Sequence, residues 1–129
     1  MKKAVRYYSR LGNTRTIAEA IAEGVGVKAI SITDEPRLVE YVDVLYLGGA
    51  PYANIMAPEL RVYAENLDAS KVGKAVLFTT SNWSRRTVLA LKKLLREKGI
   101  AVADEYFYAH MLHINGRIDA ARAFGRENR

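Results

Sequence analysis

The segment Ala4-Val5-Arg6-Tyr7-Tyr8-Ser9-Arg10-Leu11-Gly12-Asn13-Thr14 passes from a β-type run through a polar turn into a helix, and the rest of the chain repeats that order. Ala4 to Tyr8 reads as a strand. Ser9 and Gly12-Asn13 turn the chain. From about Thr14, Ile17, Ile21 and Val25 recur at i, i+4 and i+8, the spacing of one helical face, and Gly24 and Gly26 stop the helix.

Beyond it, Lys28 to Ile32 forms a short second strand. Thr33 or Asp34 is placed to cap a weak helix running through Pro36 and Leu38 to Tyr41. Val44-Leu45-Tyr46-Leu47 and Ala75-Val76-Leu77-Phe78 are apolar at successive positions, as strands covered on both faces are. Between them Pro58 opens a helix with Leu60, Tyr63 and Leu67 on its inner side. Another helix runs from Ser84 through Val88, Leu91 and Leu95 to Lys98-Gly99. Ile100 to Tyr108 is a fifth strand, and Asn115-Gly116 starts a last helix carrying Ile118, Ala121 and Phe124. Five strands alternate with about five helices over short connections. Parallel strands under right-handed crossovers solve that pattern economically, so the expectation is one α/β domain over residues 1–129. Arg6 sits badly in a strand of this kind. Its guanidinium must reach the sheet end or pair with a carboxylate such as Asp43, Asp104 or Glu105, because burying it alone would be prohibitive.

Composition narrows the chemistry. Half of the 129 residues are hydrophobic and 26% are charged, an ordinary globular balance. With no cysteine there is no disulfide framework, thiol nucleophile or thiolate-held metal, and two histidines, His110 and His113, are too few for a histidine-rich metal site. Any redox chemistry must use a borrowed cofactor. The net charge is +6, yet residues 1–69 sum to −1 and residues 70–129 to +7, which suggests a positive face toward an acidic partner or a merely solvated surface. No signal-peptide pattern follows Met1-Lys2-Lys3. The longest uncharged stretch, Val44 to Pro58, holds two glycines, two prolines and Asn54, so it cannot span a membrane as a helix. A cytoplasmic location is the expectation.

In an open parallel sheet, ligands collect at the carboxyl ends of the strands near the switch in strand order. The turn Ser9-Arg10-Leu11-Gly12-Asn13-Thr14 offers hydroxyls, a glycine and a helix N-terminus whose free N–H groups favour an anion, with Arg10 and Arg15 nearby to neutralise charge. A phosphate suits it, although a well-capped turn without a ligand has the same residues. Neither GxxxxGK[ST] nor GxGxxG is present, which counts against ATP or NAD as the primary ligand.

Tyr7 to Thr14 resembles the phosphate loop of flavodoxins, [ST]-x-[ST]-G-x-T after the first strand. Ser9, Gly12 and Thr14 match, and Leu11 stands where a hydroxyl is usual. Asp43-Val44-Leu45-Tyr46-Leu47-Gly48-Gly49 is similar to that family's third strand and its entry to the second flavin loop. The resemblance covers almost the whole chain and is to the short-chain members, with no insertion in the fifth strand. It implies a three-layer α/β/α sandwich with a five-stranded parallel sheet in the order 2-1-3-4-5. It also implies FMN, its phosphate held by Ser9, Arg10, Leu11, Gly12, Asn13 and Thr14. The flavin ring would lie between Ala50-Pro51-Tyr52-Ala53-Asn54 and Thr80-Ser81-Asn82-Trp83, with Tyr52 and Trp83 as aromatic covers.

Two departures matter. Flavodoxins are typically acidic whereas this chain is basic, and positive surroundings should raise the potential of a bound flavin by stabilising its reduced anion. Pro51-Tyr52 also lacks a neighbouring glycine, so a backbone flip there would cost more. The leading expectation is an electron carrier between protein partners, as monomer or homodimer, with no catalytic residue of its own and no nucleic-acid or membrane partner. A small flavin-dependent reductase acting on a quinone, and a cofactor-free interaction module, are the alternatives. A phospho-acceptor receiver shares the topology but is discounted, because its acidic cluster after the first strand is absent. The rows Arg122, Arg126, Arg129 and Arg85, Lys92, Arg96 read as solvated faces that could dock an acidic protein.

Overall fold

The computed structural model describes residues 1–127. Its elements in chain order are β1 (Lys3–Tyr7), α1 (Asn13–Val25), β2 (Ala29–Ser31), β3 (Val42–Gly49), β4 (Pro51–Tyr52), β5 (Ile55–Met56), α2 (Pro58–Glu65), β6 (Val72–Ser81), α3 (Arg86–Glu97), β7 (Phe107–His110) and α4 (Ile118–Glu127). The main sheet is parallel in the order β2-β1-β3-β6-β7, and β4 and β5 form a separate antiparallel hairpin. Numbering only the main-sheet strands returns the expected 2-1-3-4-5.

Alternation along each strand divides the core in two. Val5, Tyr7, Val44, Tyr46, Val76 and Phe78 face α1 and α4. Ala4, Leu45, Leu47, Ala75 and Leu77 face the other way, onto α2 and α3. Both faces being covered, the central strands had to be apolar at every position. α1 and α4 approach so closely that a Cβ added to Gly24 would stand 2.0 Å from the Arg122 carbonyl oxygen, and one on Gly125 would stand 2.2 Å from that of Ile21.

Three expectations need correction. Residues 33–41 form no helix. Their backbone turns over Ser31, whose carbonyl accepts from both Asp34 and Glu35, and then runs irregularly with Val39 and Tyr41 largely in water. A segment this short, interrupted by Pro36 and with little apolar surface to bury, cannot offset helix nucleation. Four α-helices therefore form among the described residues. The fifth strand is also shorter than Ile100–Tyr108: Val102 makes an isolated bridge to Ala75, and the ladder resumes only at Phe107. Arg6 pairs with none of Asp43, Asp104 and Glu105. Its Nη2 reaches Glu35 at 3.0 Å and Nη1 donates to the Val5 carbonyl, so the guanidinium leaves the sheet edgewise beside the Pro36 segment. Of the basic rows, Lys92 and Arg96 converge on Asp104, and Arg122 bridges Glu23 and Asp119. Arg129 lies outside the described residues.

Candidate functional site

Every connection leaving the carboxyl end of a main-sheet strand arrives at the same rim, and the loops after β1, β3, β6 and β7 enclose a cavity there of about 270 Å³. Its lining includes Ser9, Leu11, Asn13, Thr14, Ala50, Pro51, Tyr52, Asn54, Thr80, Ser81 and Asn82. The other sequence-derived candidates, Arg10, Gly12, Ala53 and Trp83, do not line it. Ser84 and Met111 do, although the sequence reading passed them over. Met111 follows the fifth strand, whose exit loop obeys the same rule as the others, and its N–H donates to the Ser81 carbonyl at 2.9 Å.

The first loop is shaped by Gly12, which takes φ +97° and ends in the N-cap position of α1. Its N–H donates to Ser9 Oγ at 3.1 Å, and its carbonyl accepts from both the Thr16 N–H and the Thr16 hydroxyl. No side chain caps α1 and its first turn holds no acid. The N–H groups of Asn13, Thr14 and Arg15 thus have no acceptor among the described residues, and this is the donor set that an anion needs. The buried Thr14 Oγ1 lies 2.7 Å from Thr80 Oγ1, joining helix to strand at the cavity floor. Neither expected arginine faces the loop's amides. Arg15 pairs with Glu19 on its own helix, and Arg10 turns outward to Glu59. The anion donors are neutral.

The second loop is the β4–β5 hairpin. Its central residues Ala53 and Asn54 have φ +52° and +62°, the left-handed pair that matches a two-residue hairpin to strand twist. It presents Tyr52, whose hydroxyl accepts from the Arg10 N–H at 3.0 Å while the Arg10 guanidinium stands 4.1 Å over its ring. Burial pushes the Tyr52 phenol up from its ordinary pKa, against the pull of Arg10. Tyr8 completes the cluster: its ring meets Tyr52 edge-on at 6.4 Å, and its hydroxyl donates to Glu59 at 2.5 Å. That hydrogen bond, with Arg10 beside it, holds the Glu59 carboxyl below the usual range. Arg10 therefore ties the first loop to the second.

The third loop carries Trp83 away from the cavity. Its backbone is left-handed at φ +69°, its N–H donates to the Tyr108 hydroxyl at 2.7 Å, and that hydroxyl donates to the Ser81 carbonyl. The indole stacks on Tyr108 with centroids 6.4 Å apart and meets His110 at 4.8 Å. His110 Nε2 bonds Asn82 Oδ1, and the His113 ring is 5.3 Å from the His110 ring. No group of three metal-ligating side chains forms among the described residues.

No family model and no curated relative matches the sequence. Solved structures do. A flavodoxin from the domain Archaea superposes with a TM-score of 0.83 at 21% identity, covering 98% of this chain and 95% of that one. The chain has the flavodoxin fold. Oxidised Flavodoxin 2 from Bacillus cereus gives 0.75 at 22% identity over 98% and 99% of the two chains. The Fusobacterium nucleatum flavodoxin bound to flavin mononucleotide gives 0.75 at 15% identity over 99% and 96%. In this flavodoxin fold the cavity stands at the strand-order switch, where β1 and β3 part toward opposite edges. Among the described residues no helix is long and apolar enough to cross a membrane.

Proposed function

We propose that the chain binds FMN at the rim cavity and carries electrons between protein partners. The observation that supports this most directly is the uncapped start of α1, three amides without acceptors beside the Ser9 and Thr14 hydroxyls, opening onto a cavity in a flavodoxin fold. A dianionic phosphate satisfies those donors and is favoured by the helix dipole without any charged side chain. The donor chemistry fits the group, and one structural neighbour of the same fold is described as bound to flavin mononucleotide.

Ser9, Gly12, Asn13 and Thr14 would hold the phosphate end. Arg10 and Leu11 complete that loop, Arg10 by bracing Tyr52 from outside. Ala50, Pro51, Tyr52 and Asn54 would form one wall for the ring, with Ala53 shaping the hairpin turn behind them, and Thr80, Ser81 and Asn82 the other, with Trp83 beyond the cavity on the same loop. At about 270 Å³ the cavity falls just under the usual range of small-molecule sites, about 300–1,000 Å³, so the ring would be covered only in part. A ring edge left at the surface is what exchange of electrons with another protein requires. The flavin supplies reversible one- and two-electron chemistry when bound. The chain's own residues bind, orient and screen it.

Two measurements test the reading. Protein titrated with FMN should show flavin absorbance and quenched flavin fluorescence, and NAD(P)H should not be consumed by the loaded protein alone. Ser9→Ala with Thr14→Ala should weaken FMN roughly tenfold or more, since hydrogen bonds to a charged group contribute about 1.5–3 kcal/mol, and leave riboflavin nearly unaffected. Equal losses for both ligands would move the phosphate elsewhere and sink the assignment.

A further inference from the structure

Trp83 is held in water at a cost. A bulky side chain at φ +69° crowds its own backbone. The indole nevertheless remains 76% exposed, fastened by Tyr108 and His110. Around it the strand-end loops display other large apolar side chains: Leu11 at 81%, Leu112 at 75%, Ile55 at 57% and Met111 at 40% exposure. Leu11 and Met111 also line the cavity, so part of this apolar surface lies at its mouth. Clustered apolar surface at a functional rim marks a contact face.

The charge around the cavity is unevenly spread. Residues 8–14, 50–57, 82–86 and 111–117, the loops beside it, include Arg10, Arg85, Arg86 and Arg117 and no aspartate or glutamate, whereas Asp34 and Glu35, after β2, share a separate groove with the Ser9–Gly12 turn and do not line the cavity. Arg10 is neutralised by Glu59, and Arg117 donates to the Tyr108 carbonyl. Arg85 and Arg86 are exposed and have no ion pair among the described residues; Glu105 shares a groove with Arg85 but does not bridge to it.

We propose that this rim, with Trp83 and Leu112 at its centre and Arg85 and Arg86 at its edge, is the docking face for an acidic protein. The proposal rests on the carrier reading for its purpose and on the rim alone for its geometry. A second copy of the chain is disfavoured as occupant, because a two-fold contact would set the unpaired arginines of one rim against those of the other. An acidic partner gains from those same charges and covers the indole, a side chain that anchors interfaces well.

The test is an amide-shift titration of the FMN-loaded full chain. The probes are oxidised plant-type [2Fe–2S] ferredoxin, an acidic protein, and cytochrome c, a basic one. Ferredoxin should perturb residues 82–86 and 111–113 saturably at low salt and bind more weakly at about 0.15 M, where the Debye length is about 8 Å. Arg85→Glu with Arg86→Glu should weaken that binding about tenfold or more while keeping the flavin spectrum, since acids in the first turn of α3 favour the helix. Trp83→Ala should weaken it to a similar degree. The proposal is overturned if ferredoxin leaves these loops unmoved, if cytochrome c binds them instead, or if the face mediates self-association that Trp83→Ala abolishes. Protein that takes up no FMN would fail the carrier reading separately, and the titration reads docking on that material too.

Discussion

Ala53 occupies a position that the hairpin needs and alanine does not favour. At φ +52° its Cβ crowds the backbone, whereas Asn54 beside it tolerates the left-handed region through local hydrogen bonding. Ala53→Gly should therefore raise the urea midpoint, stabilising by about 0.5–1 kcal/mol after the extra freedom of glycine in the unfolded chain is subtracted. A lowered midpoint would show that the turn is not strained. Legibility at this scale depended on what fixes a side chain's direction. Ser9, Thr14 and Tyr52 reached the cavity because their loops follow strands whose ends were plain in the sequence. Trp83 turned aside because its own φ is positive, and no residue pattern announces that for a tryptophan. Arg6 declared that it needed a carboxylate but not which, since Glu35 comes within reach only through the irregular course of residues 33–41.

At the level of elements, α1 and α4 depend on two glycines. Gly24 and Gly125 allow the helices to approach backbone to backbone, where even a methyl group would overlap carbonyl oxygens that cannot step aside. Gly125→Ala should gain helix propensity of up to about 1 kcal/mol yet lose about 1–3 kcal/mol to overpacking. The net effect should be a lower melting temperature and weaker FMN binding, because α1 carries the first loop. An unchanged melting point would show that the two helices slide apart freely. Strands β3 and β6 were legible from unbroken apolar runs, as doubly covered strands usually are. The hairpin β4–β5 was not: its strands are two residues each and its turn lacks glycine, so neither alternation nor a turn signature could form. The expected helix over residues 33–41 failed for the opposite reason, having plausible caps and no face to bury.

For the molecule as a whole, Tyr63 sets a limit on the alkaline side. It lies on α2 against the sheet at 4% exposure with its hydroxyl unpartnered, and burial pushes its phenol up to about 12, with the Arg6 guanidinium pulling the other way. Between the ordinary tyrosine pKa near 10 and that value, the unfolded chain has released a proton that the folded chain retains. This contribution to stability is complete below pH 10 and is lost as pH rises toward 12. Urea midpoints should fall over that window and fall less in Tyr63→Phe, which should be close to neutral at pH 7, since the hydroxyl makes no hydrogen bond of good geometry and gives up only the nearby Arg6 guanidinium. Identical pH profiles for the two proteins would refute the assignment. The division of charge between the halves was visible in composition alone. Which of those charges stand beside the cavity became visible only once the topology had brought four separated loops together, and of the C-terminal half only Arg85, Arg86 and Arg117 lie in them.

The fastenings of that rim are unequal. Arg10 and Tyr8 latch the first loop to the hairpin through a stacked guanidinium, a phenol and a carboxylate, whereas Met111 is tied to Ser81 by a single backbone hydrogen bond. Local opening follows the weaker attachment. Hydrogen exchange at the Met111 amide is accordingly expected to outrun that at the Arg10 amide, which the Tyr52 hydroxyl holds.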